Sequence, residues 1–418
     1  MSGSSAGLTD SQKTMLVQGA LSGALFSIGT GNFLAGYLTY LGASPAFCAV
    51  VAAMPQLGCI LQLVSPFLFE RLRHRKLLIC ACCFLFRIGM GLAGLIPFAL
   101  QNQNARLGAV FALYLLAFLL AGFVTPGLDQ WTMGLAPTQR RGQFFATKNI
   151  VGAVMSAAIS LLLGWQLDYF TSAGRAGVGY LILYSFCCLL AVVDLILLSR
   201  MEEIPSVPVS GLTIRDLARP LRDKTYRKII LFLPMWFFAQ NFSNTFLSVY
   251  MIRGLGMSHT IIAGMGTIAS VAGVAGAWFW GKLADRSSWN NIMLWTGCIT
   301  GGTFLCWATV RAGCSVWIPL LLQATVATCS GSFHVASLNL QFRCSPLEGK
   351  TLYLGVGAAI SNLTGYFATL FGAWLQSVLM DRFGIGSICV LFGCSGVLCL
   401  AAVLLIVPRL PRILSNEK

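Results

Sequence analysis

Long apolar runs broken by short polar segments recur along the whole chain. A helix needs about 20 apolar residues, rising about 1.5 Å each, to cross a hydrocarbon core of about 30 Å. Runs of that kind predict transmembrane helices near 14–41, 45–69, 77–99, 107–135, 144–167, 178–199, 228–252, 258–283, 290–310, 315–341, 351–380 and 385–407. The longest polar stretch, about 200–227, divides the twelve spans six and six. It holds Pro205, Pro208 and Pro220, with dense charge from Arg215 to Lys228, and reads as a linker. The expected fold is an all-α membrane protein: an N-terminal six-helix half over 1–199, a linker over 200–227 and a C-terminal half over 228–418.

Composition agrees. Of 418 residues, 57% are hydrophobic and 10% charged, and the mean hydropathy is +0.78. Soluble domains carry roughly 25% charged residues, so the solvent for this surface is the lipid bilayer. The net charge of +15 would suggest nucleic acid in a soluble chain. Here the Lys and Arg residues concentrate in alternate loops, with 22 in the even-numbered loops and tails. Only Arg106, Arg175, Arg253, Arg311 and Arg382 fall in the odd-numbered ones. The positive-inside rule therefore predicts cytoplasmic termini and linker in a cell (inner) membrane, with no nucleic-acid partner. The polar first dozen residues carry no signal-peptide pattern, so the first apolar run is expected to remain as a span. Most of the 15 cysteines lie inside apolar runs without metal-ligand spacing and read as small packing residues. Three dispersed histidines, with no P-loop or H-E-x-x-H, supply no catalytic constellation, and neither enzyme activity, metal nor cofactor is expected.

The halves also echo each other. Pro137 with Arg140-Arg141-Gly142 opens the fifth span, and Pro346 with Gly349-Lys350-Thr351 opens the eleventh, 209 residues later. The same spacing relates Asn32-Phe33 in the first span to Asn241-Phe242 in the seventh. Glu70-Arg71 and Asp285-Arg286, each after the second helix of its half, lie 215 residues apart. Repeated halves with a binding site between them are a signature of secondary transporters. The segment Gly281-Lys282-Leu283-Ala284-Asp285-Arg286 resembles the G-x-L-a-D-R loop signature of the major facilitator superfamily. Phe67 to Lys76 is a degenerate copy without the leading glycine, and Pro137 to Phe145 is similar to the loop between helices 4 and 5 of many bacterial members. The resemblance covers nearly the whole chain and leaves the subfamily unassigned.

What the resemblance implies is a twelve-helix transporter that moves a small organic solute by alternating access. Efflux of amphipathic compounds is the alternative, and a receptor or scaffold on the same fold a remoter one. A monomer is expected, and a coupling proton or cation is left open. Glu70, Arg71, Asp285 and Arg286, with Arg141 and Lys350, become candidate gating residues, because an acid facing loop cations and a helix N-terminus can latch one conformer. The family's central cavity is lined by helices 1, 4, 7 and 10, so their polar residues are the candidate solute contacts: Asn32, Trp131, Trp236, Gln240, Asn241, Asn244 and His334. Intramembrane amides can equally bond helix to helix. Arg87, Asp129 and Asp194 are charges at membrane depth, where an unpaired ion is costly. Arg87 is expected to pair with Asp194 or Asp129, and the sequence does not choose.

Overall fold

The computed structural model describes residues 9–410 apart from 70, 71, 73, 137–140, 204–216, 224–225, 287 and 346–349. Twelve helical spans occur among them. In chain order, α1 is Asp10–Gly29 continued by Gly31–Tyr40, and α2 runs from Pro45 to Phe69 in short α and 3-10 pieces. Span α3 is Lys76–Leu92, continued through a 3-10 turn to Ala99. Then come α4 (Gln103–Leu135), α5 (Arg141–Ser172) and α6 (Ala176–Arg200). Span α7 is Tyr226–Asn244, continued to Gly254. The rest are α8 (His259–Arg286), α9 (Trp289–Thr309), α10 (Trp317–Cys344), α11 (Lys350–Phe383) and α12 (Ser387–Ile406). Every boundary lies within about five residues of the sequence expectation.

Local chemistry sets these ends. Thr9 and Gln12 form a reciprocal capping box at the start of α1. Ser44 caps α2 ahead of Pro45, and Ser288 caps α9. Interruptions within the spans have equally local causes. Gly31 has a φ of +60°, a conformation costly for any side-chain-bearing residue, and it splits α1 at Thr30. Span α7 breaks after Asn244 and ends in a π turn at Tyr250–Gly254. Broken backbone at membrane depth is tolerated where protein or a cavity, not lipid, surrounds it.

Helices α1–α6 pack on one another, as do α7–α12. Close approach depends on missing side chains: a methyl on Gly122 of α4 would overlap the Gly58 carbonyl of α2. Helix α6 ends and α7 begins on one side of the molecule, called the linker side below, and Thr9 and Leu410 lie there too. Between the halves, α5 packs on α8, α2 on α11, and the end of α1 on the end of α7.

The repeat is real, but its spacing is not uniform. Helices α1 and α7 start 216 residues apart and α2 and α8 start 214 apart, whereas α5 and α11 start 209 apart. Carrying the 209-residue spacing back to α1 and α7 slips the register by roughly six residues, on the order of 9 Å along a helix. Asn32 and Asn241 therefore do not occupy equivalent places, and the Asn-Phe match between them is a coincidence of sequence.

Candidate functional site

A cavity of about 240 Å³ lies between α1 and α5 of the first half and α8 of the second. Small residues at four-residue intervals create it. Gly19, Gly23 and Ser27 of α1 face Gly152, Ser156 and Ser160 of α5, and the Ser27 and Ser160 hydroxyls meet at 2.8 Å. From α8 come Gly266, Thr267 and Ser270, and no charged side chain lines the cavity. The Thr267 and Ser270 hydroxyls donate to Ala263 and Gly266 carbonyls one turn back, leaving their oxygens able to accept. Asn32, the second residue after the break in α1, completes the wall. Its Nδ2 is buried and has no hydrogen-bond partner. A buried amide donor left unmatched costs free energy that a bound acceptor would recover.

On the side of this cavity away from the linker, the halves are bonded together. Asp168, near the end of α5, accepts from the backbone N–H groups of His259 (2.9 Å) and Thr260 (2.8 Å) and from the Thr260 hydroxyl (2.5 Å). Its carboxylate thus caps the N-terminus of α8, where the helix dipole and free N–H groups favour an anion. Arg253, in the π turn ending α7, donates to Thr39 Oγ1 at 3.2 Å and to the Ala43 carbonyl at 2.6 Å. Nearer mid-membrane, Gln56 Nε2 donates to Asn241 Oδ1 at 2.7 Å. The hydrogen bonds seen between the halves thus lie near mid-membrane or on the side away from the linker.

The sequence-predicted residues divide accordingly. Asn32 is in the cavity wall. Asn241 is in the seam: it accepts from Gln56 and donates to the Phe237 carbonyl, and its own carbonyl accepts from Thr369 of α11. Gln240 is half-buried and Asn244 exposed on the same stretch of α7. Trp236 is buried and stacked on Phe333 of α10, with centroids 4.2 Å apart. Trp131 spends its indole N–H on the Glu202 carbonyl at the linker side. His334 is exposed on α10. The structure brings none of these to Asn32. Of the two partners open to Arg87, the structure has Asp194: the pair is buried, with Gln18 Nε2 donating to Asp194 Oδ1 at 3.0 Å and Arg87 donating to Ser22 at 2.8 Å. Asp129 instead faces Lys148 of α5 electrostatically. Glu70 and Arg71 lie outside the described residues, as do the side chains of Arg141, Asp285, Arg286 and Lys350.

Sequence reasoning missed Asp168, Thr260, His259, Gln56 and Arg253. Nothing local pairs a carboxylate at position 168 with a helix start 91 residues on. The α5 stripe of small residues at 152, 156, 160 and 164 was a usable signal for a close interface.

The family model of the Major Facilitator Superfamily matches residues 15–368. The chain belongs to that superfamily. It is accordingly a multi-pass secondary transporter, and not an enzyme. No curated protein matches the sequence. Among solved structures, a D-xylose-proton symporter superposes with a TM-score of 0.73 at 15% identity, covering 97% of this chain and 98% of that one. The nucleoside transporter NupG gives 0.70 at 11% identity, covering 95% and 98%. The xylose transporter XylE from E. coli, in its inward-open conformation, gives 0.67 at 14% identity, covering 97% of each chain. At these identities the likeness speaks for the major facilitator fold alone.

Proposed function

We propose that this transporter carries a small, uncharged solute bearing hydroxyl or carbonyl groups, bound in the cavity between α1, α5 and α8. The observation that carries the reading is the unmatched Asn32 Nδ2 in a wall supplied by both halves. The wall has hydroxyl oxygens to accept and an amide to donate, which matches a hydroxylated solute, and no carboxylate to attract a cation. A volume near 240 Å³ falls below the ~300–1,000 Å³ of pockets for drug-sized ligands. That argues for a compact solute over a bulky amphipath.

The 22-to-5 distribution of Lys and Arg supports a cytoplasmic linker side in the cell membrane. On that reading the bonded far side is external and the structure is the inward-facing conformer. The moving bodies are 1–199 and 228–418, tied by 200–227, and one chain supplies the whole cavity, so a monomer suffices.

Purified protein in proteoliposomes, tested with labelled monosaccharides, nucleosides and amphipathic cations, checks this directly. Uptake of a neutral hydroxylated solute that drops in Asn32→Ala is expected. Transport of amphipathic cations alone, untouched by Asn32→Ala, would transfer the function to efflux through another site.

A further inference from the structure

A second, larger cavity of about 1,040 Å³ lies between α7, α9, α11 and α12, away from the interface between the halves. Its walls are apolar. Phe238, Phe242 and Phe371 form a ladder with centroids 6.2 and 5.8 Å apart, and on the α12 side Val390, Val397 and Leu398 are exposed rather than packed. The α12 wall runs from Gly386 to Leu398, about 18 Å at ~1.5 Å per residue. That is close to half of a hydrocarbon core of about 30 Å. The groove is one leaflet deep, reaching from mid-membrane to the end of the bundle opposite the linker.

At that end stands Arg311, just beyond α9 and the only charged residue in the lining. Its Nη1 donates to the Ala308 and Val310 carbonyls at 2.7 and 3.0 Å, which holds the guanidinium at the mouth while the residue remains exposed. A one-leaflet apolar trough closed by a fixed cation at headgroup level complements a molecule with a long hydrocarbon chain and an anionic head. A guanidinium matches phosphate in charge and geometry. We propose that the groove binds an anionic phospholipid of the leaflet away from the linker, with an acyl chain along the aromatic ladder and the phosphate on Arg311. Because α7 and α11 also contribute to the seam, the lipid would sit against helices that move in the transport cycle.

The geometry supplies a plug. A Cβ built at Gly386 meets nothing within 4 Å, so a larger side chain there enters the groove without displacing backbone. The test is native mass spectrometry of delipidated protein titrated with phosphatidylglycerol or phosphatidylcholine of identical acyl chains. Wild type is expected to prefer phosphatidylglycerol by roughly five-fold, the value of one basic side chain at a membrane surface. Arg311→Gln should erase that preference while still binding both lipids. Gly386→Phe should lower retention of both lipids at an unchanged melting temperature of the lipid-free protein. Equal binding of the two lipids by wild type, or equal retention by wild type and Gly386→Phe, would assign bound lipid to the general annulus and overturn the site. So would a wild-type protein that retains neither.

Discussion

The carboxamide of Asn32 is buried with its N–H₂ unspent, whereas that of Asn241 donates to Phe237 and accepts from Gln56 across the seam. The two truncations should therefore fail differently. Asn32→Ala should weaken solute binding by about 1–3 kcal/mol, roughly 5- to 150-fold, with a melting temperature near wild type. Asn241→Ala should lower the melting temperature while leaving solute affinity in the surviving protein close to wild type. Binding isotherms beside melting curves on the purified variants separate these outcomes, and the reverse pattern would exchange the roles given to the two amides. The Arg87–Asp194 pair sets a second test. Asp194→Asn strands a buried guanidinium and should cost about 3–5 kcal/mol of stability, read as a lowered melting temperature. The double variant Arg87→Met with Asp194→Leu, having no buried charge to strand, should recover most of it. Both ions could be read from the sequence as anomalies at membrane depth. Their pairing could not, because α3 packs on both α4 and α6 and only the Arg87–Asp194 contact itself decides between Asp129 and Asp194.

At the scale of helices, ends were legible and breaks were not. Caps such as Thr9 and Ser44, and prolines such as Pro45, sit where polarity changes, so boundaries follow from local chemistry. The split at Gly31 depends on that glycine's positive φ, and nothing in the residue order distinguishes it from other glycines of the spans. The attachment of the linker to α3 was also hidden. Glu203 accepts from the backbone N–H groups of Arg75 (2.8 Å) and Lys76 (3.2 Å) at the start of α3, and His74 lies 3.4 Å from its other oxygen. The Lys76 N–H, with that of Arg75 and the neighbouring His74, holds the Glu203 carboxyl below its ordinary range. A carboxyl so depressed contributes stability that is complete above its ordinary value, about 4.3, and is lost as pH falls through the lower one. Glu203→Gln should therefore melt below wild type at pH 7, and the gap should close as the pH falls below about 4.3. A gap that persists unchanged to pH 3 would show that the carboxylate's charge is not what secures the linker.

Across the whole molecule, the twelve spans, the two halves and the superfamily could be read from hydropathy, loop charge and the loop motifs. The site could be read only in part. Asn32 was legible as a polar residue of the first span, but its supposed equivalence with Asn241 falls with the uneven repeat, and the cavity it lines draws on α5 and α8, outside the four helices the family resemblance implies. The seam depends on residues far apart in the chain, such as Asp168 with Thr260 and Arg253 with Ala43, whose side chains mean little until the fold places them. These bonds make the central claim testable: the halves are locked on the side away from the linker, and releasing that lock should close the other side. Asp168→Asn keeps the shape of the side chain and removes the charge that caps α8, so it should shift the population toward the opposite conformer. A ligand or mutation shifts such an equilibrium only by its differential interaction with the two states, here on the order of 1–3 kcal/mol. Hydrogen–deuterium exchange of wild type and Asp168→Asn in the same detergent measures both sides at once. The account predicts faster exchange around Thr39–Ala43 and Arg253–Ile262, with slower exchange at the linker-side ends of α4 and α10. Faster exchange on both sides, or no change on either, would contradict it.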